Sequence, residues 1–132
     1  MQMIKITNSA VLVMIGAIPG AILRYLLSVY VIHYFNLPIG TLIANVLGSF
    51  VLGMIVIMFR LGVTTSDMVT MIGIGFCGSL TTMSSFAVES IGLLDTSINL
   101  FLLNISITLL FVFIGAYVGR ILATYLFLRT AT

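Results

Sequence analysis

The chain has 132 residues, of which 61% are hydrophobic and 6% charged, and its mean hydropathy is +1.34. A soluble domain carries about 25% charged residues, so the composition excludes a water-soluble domain and defines an integral membrane protein. The net charge of +2 is spread over scattered residues, which argues against nucleic acid as a partner and against a polybasic lipid-binding patch.

Apolar segments at 9–35, 39–59, 68–94 and 98–128 are each long enough to cross a bilayer. No linker, composition shift or internal repeat divides them, so residues 1–132 are read as a single transmembrane domain of four helices. Lys5 followed by an apolar run imitates a signal peptide, but the run continues to about Phe35, too long for a cleaved signal. Arg24 lies within that first span, four residues beyond Gly20 on the Gly16/Gly20 face. Its guanidinium keeps its charge and needs carbonyls, a carboxylate or water. Two readings stay open: an interfacial anchor beside Tyr25, or a charge in the vestibule of a water-filled path. His33, next to Tyr34, is read as interfacial. Asn36-Leu37-Pro38 predicts a turn, because proline disfavours helical geometry before it and has no N–H.

The second span carries Asn45 near its middle. An amide offers donors and an acceptor, so Asn45 could replace part of an anion's water shell or simply bond a neighbouring helix. Residues 60–67 form the one polar loop.

The third span holds the most informative stretch, Gly75-Phe76-Cys77-Gly78-Ser79-Leu80-Thr81-Thr82-Met83-Ser84-Ser85-Phe86. Glycines and the hydroxyls of Ser79, Thr81, Thr82, Ser84 and Ser85 predict a helix broken at membrane depth. Unpaired peptide groups survive there only inside protein or beside water, and such breaks are where transporters and channels place ions. Cys77 is the single cysteine, so no internal disulfide forms, and it is read as buried rather than redox-active. Glu89 is read either as facing a vestibule or, preferably, as paired with an arginine. Asp95-Thr96-Ser97 is read as a helix start with capping residues. In the fourth span Asn104 and Thr108 share a face, while Ser106 points elsewhere.

Short loops make sequential helices antiparallel. Lys5, Arg60, Arg129 and Arg120 then share one side against His33 and Asp95 on the other, which predicts cytoplasmic termini. Small residues recur every four positions at Gly16/Gly20, Ala17/Ala21, Ala44/Gly48 and Gly115/Gly119. This is more small surface than one subunit needs, and it predicts an oligomer. No His/Asp/Ser group, paired carboxylates, phosphate loop or His/Cys metal set is present, so no enzyme is predicted. Gly73, Gly75 and Gly78 lack the βαβ context of a dinucleotide fingerprint.

Three stretches carry a family resemblance that covers nearly the whole chain. They are Gly16-Ala17-Ile18-Pro19-Gly20-Ala21-Ile22-Leu23-Arg24-Tyr25, then Gly40-Thr41-Leu42 through Asn45 to Gly48-Ser49-Phe50, then Gly75 through Thr81-Thr82-Met83-Ser84-Ser85-Phe86. In this order they resemble the Fluc (CrcB-type) fluoride channels. The resemblance implies an all-α membrane protein with a broken third helix, assembled as an antiparallel dimer with pores at the interface. It implies a prokaryotic cell-membrane channel that exports fluoride passively. Its anion path would match Asn45, Met83 and Phe86, with Ser84, Ser85 and Thr108 on a hydroxyl track and Arg24 attracting the anion. A structural sodium ion on the dimer axis would be held by the main-chain carbonyls of Gly78 and Thr81. Two positions depart from the family pattern: Met83 replaces a phenylalanine, and Asn104 a frequent tyrosine. Some members pair with an oppositely oriented paralogue, so a partner subunit, non-conducting alone, is the alternative. A small proton-coupled multidrug exporter needs a membrane carboxylate, typically in the first helix, and residues 9–35 contain none.

Overall fold

The computed structural model describes residues 2–31 and 37–128. His33, Arg129 and the side chain of Lys5 lie outside the described residues. Segments Asn8–Tyr30, Ile39–Arg60, Ser66–Thr96 and Ile98–Leu128 are long and apolar enough to cross a membrane. The first helix, α1 (Gln2–Tyr30), begins earlier than expected and contains Pro19. Proline removes one backbone hydrogen bond, which membrane helices tolerate where neighbours take up the freed group.

Helix α2 (Ile39–Arg60) stops at a glycine-closed end. Gly62 adopts φ +72°, its N–H bonds the Phe59 carbonyl, and the Val63 N–H bonds the Met58 carbonyl. This paired closure needs a left-handed residue just past the helix, which glycine supplies without a Cβ penalty. The chain re-enters at Thr65, whose hydroxyl accepts the Met68 N–H at 3.3 Å, with Asp67 in the first turn beside the positive end of the helix dipole.

The third span is interrupted, as its sequence predicts. A short α3 (Ser66–Met68) runs into a π-helical stretch (Val69–Cys77), then α4 (Gly78–Leu80). Thr81 and Thr82 are extended, and α5 (Met83–Thr96) resumes the span. Helix α6 (Ile98–Leu128) follows after Ser97. The expected helix start at 95–97 is therefore corrected. Asp95 and Thr96 end α5, with the Thr96 hydroxyl bonded back to the Gly92 carbonyl, and only Ser97 joins the two helices.

The most extensive contacts join α1 to the π-helical stretch and α2 to α6, helices two apart in the chain that run parallel. The small residues explain this pairing. A Cβ on Gly16 would overlap the Met71 carbonyl, and one on Gly20 the Ser79 hydroxyl and Phe76 carbonyl. Likewise Gly115 abuts the Val46 carbonyl and Gly119 the Phe50 carbonyl. Backbones approach closely wherever these stripes lie. Ala44 is buried and Gly48 sits against the Thr81 methyl, so each of these pairs is closed in by the chain itself. Ala17 and Ala21, the remaining pair, are half-buried on α1.

Candidate functional site: a stitched helix break beside a groove

Thr81 and Thr82 leave helical geometry in mid-span, so their peptide groups need partners. Asn45 on α2 supplies them. Its Oδ1 accepts the Thr82 N–H at 2.7 Å, and its Nδ2 donates to the Thr82 carbonyl at 3.2 Å. The backbone fixes the amide's orientation, since only the oxygen can face an N–H. Asn45 thus makes the inter-helix bond that its sequence context left open, and one of its two N–H groups remains.

Thr82 also caps α5. Its hydroxyl accepts the Ser85 N–H at 3.2 Å and donates to the Ser85 Oγ at 3.1 Å, with the Ser84 hydroxyl 3.2 Å away. On the preceding side, the Thr81 N–H and hydroxyl both bond the Cys77 carbonyl at 3.0 Å. These bonds redirect two donors. In a continuous helix the Thr82 N–H would serve the Gly78 carbonyl, and the Ser85 N–H the Thr81 carbonyl. Both donors are taken by side chains instead, and no hydrogen bond among the described residues ends on either carbonyl.

A groove of about 320 Å³ opens beside the break, lined by Asn45, Gly78, Thr81, Thr82, Met83, Phe86 and Thr108 among others. Phe86 is buried, whereas Met83 is 74% exposed at the groove. Of the residues named from the sequence, Asn45, Met83, Phe86, Thr108, Gly78 and Thr81 come together here. Ser84 and Ser85 cluster on the Thr82 hydroxyl rather than lining the groove. Arg24 sits half-buried on α1 and is not among the lining residues.

A second set of polar links lies toward the α1–α2 end. The Thr41 hydroxyl donates to the Glu89 carboxylate at 2.8 Å. Asn104 Nδ2 donates to Ser90 Oγ at 3.0 Å, and that hydroxyl donates to the Phe86 carbonyl at 2.6 Å. Thr41 is a residue that sequence reasoning missed; its signal was the four-residue step to Asn45, which puts both on one face of α2. Glu89, read as facing a vestibule or as paired with an arginine, accepts the Thr41 hydroxyl across to α2. The replacement of a ring by Asn104 also finds its use, since an amide reaches the buried Ser90 hydroxyl.

A small bundle of membrane-crossing helices, one broken at mid-span with its freed N–H groups taken by side chains next to a groove, belongs to the class of membrane channels and transporters. Residues 11–120 match the family described as CrcB-like protein, Camphor Resistance (CrcB), and the chain belongs to that family. It is 42% identical over 118 residues to the fluoride-specific ion channel FluC of Methanocaldococcus jannaschii, covering 88% of this chain and 94% of that one. It is 39% identical over 115 residues to the fluoride-specific ion channel FluC of Shewanella frigidimarina, covering 82% and 93%. The corresponding channel of Shewanella baltica is 38% identical over 116 residues, with the same coverage.

Proposed function

We propose that this chain is a passive, fluoride-selective channel that lets cytoplasmic fluoride leave the cell and so relieves fluoride toxicity. The observation that carries the reading is the break at Thr81 and Thr82, held open by Asn45 on the wall of a groove. Hydrogen fluoride enters uncharged and dissociates inside, so a path down the anion's electrochemical gradient suffices. Fluoride holds its water tightly, and a pore must offer donors at close range. The second N–H of Asn45 and the Thr108 hydroxyl stand on the groove wall. The hydroxyls of Ser84 and Ser85 lie 3.2 and 3.1 Å from that of Thr82, and the positive edge of the Phe86 ring adds attraction without a trapping charge. Arg24 raises the local anion concentration from the α1 side.

The working unit in this reading is an antiparallel dimer, either of two copies or with a paralogous subunit. Its support is the open side of the break. Gly78 is exposed and the freed carbonyls lie at membrane depth, where lipid cannot satisfy them. The carbonyls of Gly78 and Thr81 also fit a hard monovalent cation, because both have lost their helical donors and oxygen is what such a cation prefers. Two facing breaks would hold a sodium ion between them, where it would neutralise the carbonyl dipoles and tie the subunits.

The purified chain, reconstituted alone into vesicles loaded with potassium fluoride, should release fluoride rapidly when valinomycin is added, while chloride-loaded vesicles stay silent. Equal release of both anions would defeat the selective reading. Exposed Met83 favours the partner-subunit reading as the alternative: silence from folded protein, with flux restored by a paralogue carrying phenylalanine at this position, would establish it.

A further inference from the structure

The groove does not end at the helix break. Ser49 and Leu52, which line it, also line a second hollow of about 350 Å³ that runs between α2 and α6 to Arg60 and Arg120. Its walls follow helical periodicity. On α2 the stripe is Asn45, Ser49, Leu52, Val56 and Arg60, in steps of three and four residues that keep one face. On α6 it is Thr108, Val112, Ala116 and Arg120, in steps of four. The two stripes face each other because the helices run parallel, with Gly53 against Ala116 and Gly119 against Phe50.

Two guanidiniums therefore close one end of a trough whose other end is the Asn45 site. Arg60 alone has a local explanation, since it ends α2, where a cation suits the helix dipole. Arg120 lies two turns short of the end of α6, too far to serve that helix end, and shares with Arg60 the basic side expected to face the cytoplasm. None of the three carboxylates of the chain, Asp67, Glu89 and Asp95, lines the hollow. Both arginines are exposed at the mouth of the hollow, and with no carboxylate lining it their permanent charges leave the hollow electropositive.

We propose that Arg60 and Arg120 form an anion-gathering mouth, which concentrates a small dissolved monovalent anion and feeds it along the Ser49–Leu52 trough to Asn45. The proposal deepens the channel reading and rests on it for the identity of the anion as fluoride. Arg60 and Arg120 act as positioning residues here. Focusing by a charged cleft raises capture rates and weakens with ionic strength.

The test uses a cysteine reporter in the full chain, with Cys77 replaced by serine and Val56→Cys placed between the arginines and Ser49. Ser49→Cys serves as a second reporter if the first does not fold. In vesicles of neutral phosphatidylcholine, the anionic reagent sulfonatoethyl methanethiosulfonate should modify the cysteine on the order of tenfold faster than the cationic trimethylammonioethyl reagent. That preference should fade in high salt and vanish in the Arg60→Gln/Arg120→Gln variant. The same double variant should lose fluoride efflux mainly at low fluoride concentration and recover at high. A preference that survives removal of both arginines overturns the proposal. So does inertness of both reporters to both reagents, which would mean that lipid or a second chain fills the trough. Phosphatidylglycerol shifts both rates through its own surface charge, so the Arg60→Gln/Arg120→Gln variant in the same vesicles is the reference. Loss of any rate difference from that variant also overturns the proposal, by assigning the arginines to lipid phosphate. A chain that passes no fluoride yet keeps the arginine-dependent preference defeats the channel reading while supporting the mouth.

Discussion

An amide in a membrane span must place its oxygen and its NH₂ group, and Asn45 does both on a single residue of the broken helix, Thr82. Structural and conducting roles of this residue therefore separate by substitution. Asn45→Leu strips partners from the Thr82 N–H and carbonyl, at a cost of about 1–3 kcal/mol each, and should lower the thermal midpoint in detergent by several degrees. Asn45→Asp keeps the acceptor for the Thr82 N–H but puts a negative charge on the groove wall. Repulsion between two unit charges about 4 Å apart is about 4 kcal/mol at an effective dielectric of 20, so fluoride efflux should fall on the order of a thousandfold. The oligomeric state of Asn45→Asp should stay that of the unsubstituted chain. Undiminished efflux from Asn45→Asp would remove this side chain from the anion path and leave it only the stitch.

At the scale of elements, the spans were legible and their pairing was not. Hydropathy alone placed α2 within one residue and α6 at both of its bounds, because long apolar runs have no other stable home. The break was legible too, since glycine and hydroxyl side chains crowd 75–86. The π-helical turns over 69–77 were not, because no periodicity of apolar residues separates them from an α-helix. Nor could spacing say that Asn45 would meet Thr82, thirty-seven residues away. Glycine stripes announced close approach but not its target, and the structure assigns them to α1 against the third span and α2 against α6. Gly16→Val should therefore collide with the Met71 carbonyl, a backbone atom that cannot step aside, and yield aggregated or misfolded protein on size exclusion. Gly92→Ala meets nothing within 4 Å and should be neutral or stabilising by up to about 1 kcal/mol, the gain in helix propensity. Monodisperse, fully stable Gly16→Val protein would contradict the packing described for α1.

For the whole molecule the decisive surface is the open side of the third span. There Met83 is 74% exposed, Gly78 is exposed, and two carbonyls have lost their helical donors. Lipid tails cannot serve such groups, so water, a cation or a second subunit must. Gly78 offers a way to ask which, because its role inside one chain is so slight. Its backbone is right-handed helical at φ −65°, ψ −30°, open to any residue, and a Cβ there meets nothing within 4 Å. Valine at this position should be neutral or slightly stabilising in the isolated fold, because glycine is the poorer helix former. If two breaks face each other across a dimer axis, the same branched side chain is thrust into the contact and shields the carbonyl that would hold sodium. Gly78→Val should then keep its helical circular dichroism, lose the dimer in mild detergent, and lose fluoride efflux with it. A variant that stays dimeric and conducts would place the second subunit elsewhere, and the break would have to open onto water within a single chain.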